Sequence, residues 1–122
     1  MKIKIEDHGR FIVYILAGSM DDQWAKKFNR RILFELEEKA GVYRRRFDVI
    51  LDMAGISALS DAAAGALKEI SRNLEKQEIG LAVCKLEPEI AAVFKKTDAL
   101  PEEKIFPSIF AAELALSAIR NE

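Results

Sequence analysis

The segment from Phe47 to Leu67, FDVILDMAGISALSDAAAGAL, limits what this chain can fold into more than any other. Phe47 to Met53 reads as a buried strand, followed by a short loop and a helix that opens at Ser60-Asp61. Strands that feed helices in this way build a layered α/β sheet. The helix start also carries chemistry, because its unpaired N–H groups and partial positive charge suit an acidic or phosphorylated group. Asp61 stands there, followed by Ala62, Ala63, Ala64 and Gly65, side chains too small to cover the site. The pattern is that of a surface left bare for a partner.

The rest of the chain extends the same architecture. Met1 to Ile5 alternates Lys and Ile, the period of a half-buried strand, and His8-Gly9 turns it into a second strand from Phe11 to Ala17. Gly18-Ser19-Met20-Asp21 breaks that strand and caps a helix from Asp22 to about Ala40. Trp24, Phe28, Ile32, Leu36 and Ala40 form its inward stripe, widened by Ala25 and Leu33. Phe34 falls on the opposite side among Lys26, Lys27, Arg30, Glu37 and Glu38, either as a contact or as an ordinary exposed apolar residue. Gly41 is expected to end this helix, and Arg44-Arg45-Arg46 reads as a solvated loop rather than a phosphate site.

The second helix is expected from Asp61 to about Lys76. Ala63, Leu67, Ile70 and Leu74 face inward, and Asp61, Ala62, Gly65, Glu69 and Arg72 face outward. Leu81 to Cys84 is an apolar strand suited to a central position. Glu87-Pro88-Glu89 opens a third helix with Ile90, Ala91, Val93 and Phe94 as its apolar positions. Lys104-Ile105-Phe106 is a short last strand, and Pro107-Ser108 starts a final helix through about Ile119. The order β-β-α-β-α-β-α-β-α implies an α/β fold, a mixed sheet of four to five strands with about four helices, in one domain spanning residues 1–122.

Composition narrows the function classes. A formal charge of -1, from 19 basic and 20 acidic residues, gives no global pull toward nucleic acid or a membrane surface. No apolar run approaches the ~18 residues of a membrane span, and MKIKIEDHGR lacks the apolar stretch of a signal peptide. The lone Cys84 forms no internal disulfide, which fits a reducing cytoplasm.

Catalytic chemistry is not expected. The only histidine, His8, sits in a hairpin turn without a nucleophile beside it, and Cys84 in an apolar strand reads as an inert small hydrophobe. No Cys/His pair has zinc spacing, and neither common glycine-rich phosphate cradle is present, so no metal or cofactor is expected. Asp52 invites comparison with the phosphoacceptor aspartate of receiver domains. It lies inside its strand, however, and the sequence shows no lysine in a matching loop after a late strand.

Leu51-Asp52-Met53-Ala54-Gly55-Ile56-Ser57 resembles the strand-loop signature LDLSGVS of the STAS family, the domain of bacterial anti-sigma factor antagonists, stressosome proteins and sulfate-transporter tails. Gly18-Ser19-Met20-Asp21 is similar to that family's G-x-L-D. Leu81-Ala82-Val83 with Glu87-Pro88-Glu89-Ile90 is similar to its late strand and following helix, and Phe106-Pro107-Ser108 to its last strand end. The resemblance runs from about Lys2 to Ala118.

It implies a STAS-like fold and a non-enzymatic module of bacterial signal transduction and transcription regulation, docking a protein partner such as an anti-sigma factor serine kinase. The family continues with D-S-S-G-L-G, whose first serine the partner kinase phosphorylates. This chain has Ser60, Asp61, Ala62, Ala63, Ala64 and Gly65 there, so Asp61 takes the place of that serine. Ser60 as N-cap and Asp61 on the dipole account for both residues structurally. On the functional reading Asp61 is a fixed, partial mimic of phosphoserine, one charge instead of about -1.5 to -2.

The docking residues are then Asp61, Ala62, Gly65, Glu69 and Arg72, with Ser60 and Ser57 as alternative phosphoacceptors. An accessory domain of a transporter or lipid-transport system is the competing reading.

Overall fold

The computed structural model describes residues 2–43 and 47–120; Arg44-Arg45-Arg46 lies outside them, as do the side chains of Leu33, Leu36 and Ala40. The chain forms β1 (Lys2–Asp7), β2 (Phe11–Met20), α1 (Asp22–Tyr43), β3 (Asp48–Leu59), α2 (Asp61–Lys76), β4 (Leu81–Cys84), α3 (Pro88–Thr97), β5 (Ile105–Phe106) and α4 (Ile109–Arg120). One five-stranded sheet has the order β1-β2-β3-β4-β5. β1 is antiparallel to β2, and the other neighbours are parallel, so the sheet is mixed.

Both faces of the sheet are covered, unequally. Ile12, Tyr14, Leu16, Val49, Leu51, Met53, Leu81 and Val83 pack against α1, α2 and α3 in the larger core. Phe11, Val13, Ile50, Ala82 and Cys84 meet Ala112 and Leu116 of α4 in a smaller one. Burial from two sides is why β3 and β4 read as continuous apolar runs rather than alternating ones. Tyr14 anchors α1: its ring meets Phe28 edge-on at 5.3 Å, and its hydroxyl donates to Glu35 Oε2 at 2.7 Å. Burial, reinforced by that carboxylate, pushes the Tyr14 phenol well above its ordinary value, so it remains a donor. Trp24 stacks on Phe28 at 4.9 Å, completing the aromatic part of the inward stripe, while Phe34 is 62% exposed on the far side.

Several boundaries differ from expectation. Gly18-Ser19-Met20, expected to break the second strand after Ala17, stays in β2 because β3 pairs with it there, and β1 runs past Ile5 to Asp7. The loop expected after Met53 is strand: β3 continues to Leu59 because β2 runs beside it to Met20. Between Ile15 and Ala17, and again between Gly18 and Ser19, β3 carries one more residue than β2, so two bulges absorb the mismatch. Gly18, at φ 116, supplies the second kink. α1 passes through Gly41 to Tyr43, since one helical glycine costs only about 1 kcal/mol. Lys104 belongs to a 3-10 turn, Glu102–Lys104, rather than to β5, and its ammonium donates to Ser71 and Glu75 of α2.

The hairpin turn carries a pH-sensitive contact. His8 Nδ1 lies 2.8 Å from Glu113 Oε1 on α4, and Nε2 lies 3.2 Å from Glu6 Oε1. The bond to Glu113 raises the His8 pKa above 6.5, against some desolvation and with help from Glu6. A value raised in the fold adds stability that is complete below pH 6.5 and fades as pH climbs through the folded value. Urea unfolding at about pH 5.5 and about pH 8.5 should show this drop, and His8→Gln should flatten it, since no other histidine is present. An unchanged slope in the variant would remove His8 as the cause.

Candidate functional site

The start of α2 is built by its neighbours as much as by its own sequence. Ser60, in extended conformation at φ -77 and ψ 158, caps the helix: its Oγ accepts the Ala63 N–H at 3.0 Å. Its own N–H donates to Met20 O at 3.2 Å, fastening the cap to the end of β2. α2 spans Asp61–Lys76, and Ala63, Leu67, Ile70 and Leu74 are buried together with Ala64 and Ser71. Asp61, Ala62, Gly65, Glu69 and Arg72 are all exposed, and helical geometry puts Asp61, Gly65, Glu69 and Arg72 on one stripe. A Cβ added at Gly65 would meet nothing within 4 Å, so the surface is open there.

The charge at this helix start is not isolated. Lys96 of α3 donates to Asp61 Oδ2 at 3.0 Å, with the two side chains 71% and 60% exposed. Such an exposed pair contributes only about 0.2–1 kcal/mol, yet it sets a positive charge beside the negative one on this face. Lys96 escaped the sequence reading because it lies thirty-five residues away and reaches Asp61 only where α3 packs beside α2. Ser57 is exposed on β3, apart from the cap, and Ser60 is exposed while its oxygen turns back to the helix.

A second charged cluster joins the middle of β3 to the C-terminal end of β4. Asp52 is buried; its Oδ1 accepts the Ala54 N–H at 3.1 Å and its Oδ2 accepts from Lys85 Nζ at 3.2 Å. The expectation that no late-strand lysine matches Asp52 is therefore corrected: Lys85 directly follows β4 and reaches it across the sheet. Lys85 holds a left-handed backbone, φ 58, and its N–H donates to Phe106 O at 3.2 Å. Beside it, burial, with help from Asp52, pushes the Cys84 thiol up to about 11 and keeps it protonated.

Two surface grooves, of about 700 and 1110 Å³, flank β4 and β5, and neither is lined by Asp61, Ala62, Gly65, Glu69 or Arg72. Among the described residues, no group of three or more His, Cys, Asp or Glu could hold a metal ion, and no helix is long and apolar enough to cross a membrane.

Solved structures share this fold. The anti-sigma factor antagonist SpoIIAA in its unphosphorylated form matches with a TM-score of 0.69 at 15% identity, covering 99% of this chain and 98% of that one. RsbS from Moorella thermoacetica matches with a TM-score of 0.75 at 14% identity over 100% of both chains. The STAS domain of a SulP transporter from Vibrio cholerae gives 0.67 at 18% identity, covering 93% and 87%. At such identities these likenesses show the fold alone. No curated protein sequence matches the chain. The STAS domain family model matches residues 2–112, nearly every element described above from β1 into α4. With its mixed sheet, its helical order and this sequence match in agreement, the chain belongs to the STAS domain family.

Proposed function

We propose that this protein is a non-enzymatic regulatory module, acting as a single domain, that docks a protein partner through the start of α2. The carrying observation is the exposed stripe of Asp61, Gly65, Glu69 and Arg72 with Ala62 beside it, small and open at its centre and charged at its rim. Gly65 supports this reading, because a helical glycine forgoes about 1 kcal/mol relative to alanine while leaving the backbone approachable.

The likeness to SpoIIAA, which has been solved in phosphorylated and unphosphorylated forms, supports a partner of the anti-sigma factor kinase class. Asp61 then stands as a permanent single charge, paired with Lys96, where such a partner would otherwise act on a serine. A carboxylate does not accept phosphate as a serine does, and the Ser60 oxygen is engaged in its cap. Docking here is constitutive rather than switched.

Calorimetry against the anti-sigma serine kinase of the source cells tests this. Ala62→Arg combined with Gly65→Arg should weaken binding at least about tenfold while the circular dichroism spectrum is unchanged. Mass spectrometry after incubation with that kinase and ATP should find Ser57 and Ser60 unmodified. Full binding by the folded double variant would move the docking surface elsewhere, and phosphate on either serine would restore the switch.

The transporter-type STAS domains among the structural neighbours support a second reading, an accessory role on a transport complex. Co-purification with a membrane complex, in place of a soluble kinase, distinguishes it.

A further inference from the structure

β1 is the edge strand of the sheet, and among the described residues its only strand partner is β2. Its outer side presents N–H and C=O groups that no strand satisfies, over six residues free of proline and glycine. The register with β2 assigns its side chains. Ile3 and Ile5, opposite Leu16 and Tyr14, lie on the face of the larger core and are only partly buried against it. Lys2, Lys4 and Glu6, opposite Ala17, Ile15 and Val13, lie on the other face.

The sequence KIKIED carries its positive charges in the first half and its negative charges in the second. Lysine on an edge ordinarily discourages pairing, because an arriving strand offers no counter-charge. A second copy of this strand offers one if it runs antiparallel. Centred on Ile5, that arrangement brings Ile5 against Ile5 on the two-fold axis and sets each Lys4 opposite the other copy's Glu6. Directly opposed residues then share a face, as an antiparallel ladder requires. A parallel approach in register would oppose lysine to lysine instead.

Within one copy, Lys4 Nζ rests 3.6 Å from Glu6 Oε2, and the Lys4 side chain is 72% exposed, so it can swing to a facing carboxylate. We propose that β1 joins two copies of this chain edge to edge, antiparallel about Ile5, into a sheet continuous across both. The α2 surface takes no part in this contact. One short ladder buries less than a standard interface, so the dimer is weak, with a dissociation constant between about 10 μM and about 1 mM.

Sedimentation equilibrium over that concentration range tests the proposal. The unmodified chain should show a monomer–dimer equilibrium. Lys4→Glu should raise its dissociation constant about tenfold, Glu6→Lys should do the same, and the two together should restore it, since the opposed pairs re-form with signs exchanged. Amide exchange over residues 3–7 of the unmodified chain should slow as its concentration rises, a readout that needs no variant. A chain that stays monomeric to about 1 mM overturns the proposal. So does a dimer that either single reversal leaves intact, or one that the double exchange fails to rescue.

Discussion

Gly55→Ala should destabilise this protein by about 1–3 kcal/mol, whereas Gly65→Ala should stabilise it by about 1 kcal/mol. The same added methyl group has opposite effects because the two sites differ in what it meets. At Gly55 an added Cβ would lie 2.8 Å from Leu16 O and 2.9 Å from the Ala17 Cβ, at the first bulge between β2 and β3. Neither neighbour is the free end of a flexible side chain, so the backbone pair must separate. At Gly65 the methyl group enters open space on the surface of α2 and only removes the conformational freedom of the unfolded chain. Urea denaturation of the two variants reads both signs. A Gly55→Ala midpoint equal to that of the unmodified protein would mean that the strands relax at the bulge without cost. Since Gly65 is also in the proposed docking face, its alanine variant separates stability from binding: a more stable protein that binds its partner less well fits a need for close backbone approach.

Lys85→Met is expected to cost about 1–3 kcal/mol, the penalty for leaving a buried charged acceptor short of a partner. Asp52 would keep the Ala54 N–H but lose its cation, while methionine preserves the length of the side chain and its stem packing. The Lys85 side chain is 42% exposed, so water tempers the loss relative to a fully buried pair. Asp52→Asn combined with Lys85→Met should cost less than the sum of the two single changes, because the second removal no longer strands a charge. Chemical denaturation across this double-mutant cycle measures the coupling; simple additivity would mean that the contact contributes nothing to the fold.

The helical parts of this protein were legible because their information is local. The spacing of Ala63, Leu67, Ile70 and Leu74 identifies the buried side of α2, and the same projection leaves Asp61, Gly65, Glu69 and Arg72 outside. Ser60 and Asp21 announce their caps by residue type alone, and both accept the expected backbone N–H, from Ala63 and Trp24. The extent of β3 was hidden. Ala54, Gly55, Ser57 and Ala58 have no strand signature of their own, and they are extended because β2 lies alongside and two bulges bring the ladder back into step.

The order of elements, the two sides of α2, and the carboxylate on a capped helix start follow from the chain alone. Spacing and residue type act within a few positions and are written directly in the chain. Which charges are answered depends instead on how the elements pack. Asp61 meets Lys96 and Asp52 meets Lys85, each across more than thirty residues, because packing α3 beside α2 and β4 beside β3 brings them within reach. The fixed charge at the helix start is therefore a paired one, and that pairing is a property of the fold.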